Sequence, residues 1–586
     1  MSEKPFTIGS KTFDNGYSDS TNNIKPGTLA PPSKNCRITE AFEVVSRPGY
    51  EDTLWDLNES GNPATSHYMQ QFNVTFFCIN GKVKYIEHDR GDAVVDTGLS
   101  LTATETTRFA DYHGDLYLIN PTDGLRQIHV FRINDAAPNS GDASFTIDTD
   151  GGARLNAFGD TSGNIRIRGT NEAYSAVTTA GVVTHSTTLS QTYADNDIAI
   201  TVEDISSGKP KGTKIVFWQN RMVIIGVAAD SGTDNSPAIA YMSQFASSRD
   251  LQKIIVFGIT GGATEEQISA SGRLTNVVAT RDYLYFFTEN SVHFSSVADI
   301  DNSSGACYPQ LLSKNYGCVN EDCAVDIGLG MILFLTNNKR LMAIKIVQPS
   351  GAVQGQVVCD ERFDQPIRNT LDLLDASQRI ARMVYHVGKG LAYAQISVQG
   401  NIITVVYDNN IGKLLPHDDQ KLFNSHFEKD GILYATDLYD DTIYEIDRGT
   451  TDNDLPIECV MAHGQLDQDM VTCEWKDVEI SGSLSQDGDI TVETIVNDGT
   501  PVQKHILASD LSFSGARSLG DIVVGDMVIG NGMSDVLLAN WDRKFRIAPT
   551  SYGQMYKTVL SSTSTFTWGS YKIYGSALSS SLLTTS

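Results

Sequence analysis

No stretch of this 586-residue chain approaches the ~18 consecutive apolar residues of a membrane-spanning helix, so helical insertion into a bilayer is not expected. The opening MSEKPFTIGSKTF has no apolar core of signal-peptide length, and the expectation is a protein made and folded in a cytoplasm. Helical heptad patterning is nearly missing, which argues against a bundle or coiled coil. Basic residues are scarce: 44 Lys and Arg stand against 71 Asp and Glu, a formal charge of −27. That balance opposes any affinity built from Lys and Arg on phosphates, and so argues against a protein that reads or wraps DNA. It leaves open a surface past which DNA slides, because repulsion keeps such contact weak. Solubility alone accounts for it equally well.

Chemistry-bearing motifs are missing too. The chain has no GxxxxGK[ST], HExxH, GxSxG or GxGxxG. Its eight cysteines form no CxxC pair, and in a chain this long they need no disulfide framework. Cys307, Cys318 and Cys323 cluster in sequence, but their spacing fits no usual zinc set and no His falls inside it. DTDGG at Asp148 and DIDNSSG at Asp299 resemble calcium loops only faintly. Counting from Asp299, the sixth residue is Ser304 and the twelfth is Gln310, where an EF-hand needs Gly and an acid. SQDGDI at 485–490 is similar to an Asp-box without its Trp and occurs once. His129 and His293 lie within strand patterns and read as packed histidines. The acids Asp437, Asp440, Asp441, Glu445 and Asp447 could pair for glycoside hydrolysis, but a solvated hairpin tip explains them better. No catalytic, cofactor-binding or metal residue is therefore assigned, no cofactor is expected, and the chain does not read as an enzyme.

What the sequence does have is a recurring hairpin. GILYATDLYDDTIYEID, residues 431–447, places an aromatic and its aliphatic neighbours on each of two short strands around a polar turn. Variants recur at 72–87, 114–131, 282–294, 330–344 and 390–408; the first is closed by Asn80-Gly81, a strong hairpin signal. One central residue per hairpin gives Phe76, Tyr117, Val223, Tyr285, Phe334, Tyr393 and Tyr434, at gaps of 41, 106, 62, 49, 59 and 41. Repeats of ~40–50 residues suit the four-stranded blades of a β-propeller, here a degenerate one. The acidic tip of 431–447 does not recur among its siblings, so the strands and not the tip are the repeated element.

The expected class is all-β: a degenerate β-propeller-like platform with an inserted β domain and a C-terminal β domain. Residues 1–35, polar and rich in Gly, Pro, Ser and Asn, read as an extended arm that orders against something else. Residues 36–135 begin the platform, and the long gap requires an inserted β domain over 136–212. The platform resumes over 213–450, and 451–586 form a β-sandwich or closing sheet, ending in a frayed SALSSSLLTTS. One weak helix is expected within 367–384, although Asp375-Ala-Ser could equally turn.

Three stretches carry a family resemblance: EAFEVVSRPGYED; KIVFWQNRMVIIGVA with IAYMSQFASSRDLQ; and RDYLYFFTENSVHFSS with GNIITVVYDNNIGK and GILYATDLYDDTIYEID. As a pattern over most of 36–450, the chain resembles the tail nozzle, or tail hub, proteins of short-tailed bacteriophages and related tailed-phage virion proteins. The resemblance implies a structural virion protein, made in the host cytoplasm, that forms a ring, a hexamer, at the distal end of a tail. It implies a portal-adaptor protein above, tail fibres or other tail proteins as neighbours, and double-stranded DNA passing through without sequence recognition during ejection. It implies no membrane insertion. The alternative is a carbohydrate-binding or carbohydrate-cleaving β-propeller, such as a tail depolymerase or receptor-binding protein.

Overall fold

The computed structural model describes residues 4–577 apart from several stretches, the longest at 149–161, 228–237, 244–263 and 508–537. Its strands assemble mainly into antiparallel sheets, and seven of these, each built on four successive ladder strands, follow one another around a ring. The seven marker residues fall one per blade, each on the second strand: Val74–Ile79, Asp115–Asn120, Arg221–Ile225, Tyr283–Thr288, Ile332–Leu335, Leu391–Val398 and Ile432–Asp437. These strands are almost wholly buried because each lies inside its own sheet and between two neighbouring blades, which is why they carry apolar residues on both faces. The repeat legible in the sequence is thus the central hairpin of each blade.

Asn80 and Gly81 have φ of 49° and 75°, positive at both central positions, the pairing that a two-residue hairpin turn with the strands' own twist demands. A Cβ on Gly81 would stand 2.2 Å from the Leu101 carbonyl oxygen, so the position excludes a side chain as well.

The uneven gaps have a structural cause. In blade 2, the third strand Gly124–Arg132 pairs with Ile198–Asp204, and the described residues between them form four further strands that widen the same sheet to eight. Gly163–Ile167, Thr170–Val177, Val182–His185 and Ser144–Thr146 continue it outward around a core that includes Phe131, Phe145, Ile165 and Tyr174. The insertion therefore grows from the blade's outer edge, and Ile198–Asp204, within the stretch read as inserted, completes the blade.

Closure of the ring is non-local. The last blade has three strands from its own stretch, Phe423–Lys429, Ile432–Asp437 and Ile443–Ile446, and its fourth is Tyr50–Asp52. The Arg47-Pro48-Gly49-Tyr50 segment, within the stretch read as beginning the platform, seals its last blade. Gly49 is required there: a Cβ would lie 1.7 Å from the Thr451 carbonyl oxygen.

The first and last described strands meet in the C-terminal unit. One sheet runs Cys36–Ile38, Val44–Ser46, Phe566–Ala577, Cys473–Ser485 and Leu538–Gly553, with Lys4–Ser10 also paired to Phe566–Ala577. The second contains Cys459–Ala462, Met555–Ser562, Asp489–Val496 and Val502–Leu507. Ile480 and Leu484 from the first sheet share a core with Val492 and Leu560 from the second. The arm expected to order against something else orders here against its own chain, with Phe13 buried 5.0 Å from Trp568.

Over 367–384 the described residues are helical at Ile367, the end of a 3-10 turn from Gln365, and in Arg368–Asp372. The Asp375 carboxylate accepts hydrogen bonds from the Ser397 hydroxyl and the Gly400 amide, pinning it to the Leu391–Val398 hairpin, and the chain bends at Ala376. SALSSSLLTTS lies outside the described residues from 578 onward.

Candidate functional site

On or just before the first strand of each blade stand Ser66, Arg108, Lys214, Asn276, Asp322, Arg382 and Ser425, one per blade, and each bonds to a residue of another blade. Arg108, at the start of Arg108–Tyr112, donates from Nη2 to Asp322 Oδ2 at 2.7 Å, linking blades 2 and 5 across the axis. Arg382 Nε approaches the same oxygen at 3.2 Å, and the Met383 amide donates to the Asp322 carbonyl at 2.8 Å. Lys214 donates to the Glu321 carbonyl at 2.7 Å and to the Asn276 side chain, whose Nδ2 donates to the Asn320 carbonyl at 3.0 Å. Between blades 7 and 1, the Ser425 and Ser66 hydroxyls lie 2.8 Å apart.

The charges explain the titration of the ring. Burial opposes ionisation of Asp322, but Arg108, Arg382 and Lys214 outweigh it and hold its carboxyl below the ordinary carboxylate range. Burial, with Arg108 adding repulsion, lowers the Lys214 ammonium. His426, on the first strand of blade 7, is pushed down to about 4 by burial and by Arg382, and is neutral near pH 7. A carboxylate so clamped carries no proton near neutrality and is a poor general acid. The chemistry of the ring is that of a lock between opposite blades.

A second charged cluster joins the strand pair Cys36–Ile38 and Val44–Ser46 to the platform. Arg37 makes a bidentate pair with buried Asp418, at 2.8 and 2.6 Å, and Arg47 donates to Asp452 at 2.8 Å. Near it, Tyr393 donates to Asp447, whose carboxyl lies 3.5 Å from His386 Nδ1 and is held far below its usual range; burial resists this, and His386, Lys389, Arg37 and Tyr393 override it.

The acids of the 431–447 hairpin are dispersed among separate tasks. Asp437 is buried and ion-paired with Lys421; Asp447 belongs to the cluster just described; Glu445 pairs with Arg448 at 2.8 Å; Asp441 accepts from the Glu59 amide at 3.1 Å. Asp440 lies outside the described residues. The solvated-tip reading thus fails for Asp437 and Asp447, which are drawn inward by Lys421, Lys389 and Tyr393. Cys318 and Cys323 are buried in the main core, donating to the Asn320 and Ala381 carbonyls, whereas Cys307 sits in a different core. Among the described residues no group of three or more His, Cys, Asp or Glu is placed to hold a metal ion. The residues after Asp148 in DTDGG, 301–305 of DIDNSSG, and Gln486 and Asp487 lie outside the described residues. His293 is half-buried beside the Ser291 hydroxyl at 3.0 Å. His129 is fully buried between Asp115 at 2.9 Å and Glu203 at 3.4 Å.

The axial residues were missed because the first strands are short and weakly patterned, as in RFADY and AVD. A signal exists nonetheless: Arg108, Lys214, Asn276 and Ser425 each precede their blade's marker by nine residues.

No family model and no curated protein matches the chain. Among solved structures, it is similar to the β-propeller domain of Cps50 (Swd1) from Myceliophteria thermophila, with 8% identity and a TM-score of 0.32, over 66% of this chain and 98% of that one. At that score the likeness carries no argument; the propeller rests on the strand order and the circular succession of blades.

Proposed function

We propose that the chain is a structural virion protein, a nozzle or hub subunit that forms a ring at the distal end of a phage tail, continues the DNA channel and holds other tail components, without enzymatic activity of its own. The reading starts from the resemblance in the three quoted stretches and is supported by one observation above all: the Arg108–Asp322 pair crosses the propeller axis. With blades 2 and 5 of one copy tied together by that pair, a DNA conduit in this reading is the space enclosed by several copies, a hexamer on the family's pattern, with a portal-adaptor protein above and fibres or other tail proteins attached. The net charge of −27 suits a wall past which DNA moves without adhering. Carbohydrate cleavage on the axis is disfavoured, since it needs two carboxylates with one holding a proton, and Asp322 is clamped in its ionised form.

Electron microscopy of the purified protein should show closed rings, and antibody against it should label the distal tail of virions. Monomers at all concentrations, or label confined to the capsid, would overturn the reading. Release of new reducing ends from host surface polysaccharide would favour the depolymerase alternative.

A further inference from the structure

Where the insertion returns to the platform, two buried carboxyl groups lie near enough for the charge of one to act on the other. Glu87 ends the third strand of blade 1, Lys82–Glu87; Asp197 immediately precedes Ile198–Asp204, the strand that completes blade 2. Both side chains are almost wholly buried, and neither Glu87 oxygen nor Asp197 Oδ1 makes a well-aligned hydrogen bond among the described residues. The charged neighbours are unevenly shared. Arg90, from the corner after Glu87, and Arg168, from the turn of the inserted hairpin, lie 3.3 and 4.0 Å from Asp197 Oδ1, and its Oδ2 accepts from the Ala194 amide at 2.8 Å. Tyr85, fully buried, is the other titratable group facing the pair, with Arg166 beyond it. The arginines thus sit on the Asp197 side, and the unbonded oxygens of Glu87 have a proton as their natural partner.

We propose that Glu87 and Asp197 form a pH-operated latch between blade 1 and the insertion, closed while Glu87 is protonated and loosened when it ionises beside Asp197. Burial, with repulsion from Asp197, pushes the Glu87 carboxyl up to about 7, against the pull of Arg168 and Arg90. The sign follows: an acid whose folded value lies above its free value of 4.5 stabilises the closed form most at low pH, and that contribution is lost as pH rises from 4.5 to about 7. The foot of the insertion is held by the same corner, where Arg132 donates to the Asn196 carbonyl at 3.2 Å and to Asp89 at 3.0 Å, so release would free the segments around 163–177 and 195–198 together.

Amide hydrogen exchange on the full chain at several pH values, corrected for intrinsic rates, tests this. In the wild-type protein, the local opening equilibrium of 163–177 should grow roughly 30-fold from pH 5.5 to 8.5, while strands on the far side of the ring, such as Leu391–Val398, hold steady. Glu87→Gln should abolish that pH dependence and keep the segment protected throughout. A flat wild-type profile, or the same slope in Glu87→Gln, would overturn the latch. Should Glu87→Gln fail to fold, infrared difference spectra of the wild-type protein decide: a buried protonated-carboxyl band lost between pH 6 and 8 supports the proposal, and its absence at pH 6 refutes it.

Discussion

Arg108 and Asp322 stand on blades three places apart in a seven-membered ring, yet their side chains meet at 2.7 Å. An ion pair between such distant blades fixes the ring's diameter at that end. Removing the carboxylate would leave Arg108, Lys214 and Arg382 facing one another with no counter-charge. Asp322→Ala should therefore cost roughly 3–5 kcal/mol, the range for breaking a largely buried pair, towards its lower end because solvent reaches the mouth. Denaturant unfolding measures this, and the double variant Asp322→Ala/Arg108→Met should recover part of the loss.

His129 gives a separate prediction. Burial lowers its imidazole, but Asp115 and Glu203 more than compensate and raise it to about 9. A histidine raised from 6.5 in the unfolded chain stabilises fully below that value, and the benefit is lost as pH climbs through 9. Melting temperature should fall between pH 6.5 and 9 by an amount corresponding to at most about 3 kcal/mol. In His129→Gln that slope should vanish. The window lies above the one set by Glu87, so a single pH series separates the two.

Tyr434 anchors the hairpin from which the repeat was recognised. It is stacked between Phe427 and Trp55, with both centroid distances at 5.1 Å, while its hydroxyl reaches Glu445 only at 3.5 Å. Tyr434→Ala should cost ~3–5 kcal/mol as a large core truncation. Tyr434→Phe should cost ~1 kcal/mol or less, because it sacrifices one long hydrogen bond. Equal losses in chemical denaturation would mean that the hydroxyl, and not the ring, carries the contact.

How much of this could be read in advance depended on distance along the chain. Blade hairpins such as Tyr283–Thr288 with Val292–Ser296 carry their pairing, turn and burial within about a dozen residues, so apolar pattern and turn chemistry suffice. The first strands do not: Ala324–Asp326 is three residues long, and its place is set by blades on either side. Asp437 looked like hairpin chemistry because Lys421, which draws it inward, belongs to the connection preceding the blade. The pairing of Tyr50–Asp52 with Ile443–Ile446 spans almost four hundred residues and leaves no local trace.

That last pairing makes the strongest prediction. Tyr50 packs edge-on against Tyr444 at 5.2 Å and Phe423 at 5.4 Å, and the segment before it brings Arg37 to Asp418 and Arg47 to Asp452. Truncation of residues 1–52 would expose the edge of Ile443–Ile446, strip two aspartates of their arginines, and remove Phe13 from the Trp568 face. An open strand edge in the last blade also invites pairing with another chain. The truncated protein should lose cooperative unfolding and aggregate. A chain carrying only Phe13→Ala, which leaves the closing strand in place, should remain folded and lose ~3–5 kcal/mol. Calorimetry of the two variants distinguishes closure of the ring from docking of the arm: a truncated chain with one sharp transition near that of the wild type would show that the ring closes without Tyr50–Asp52.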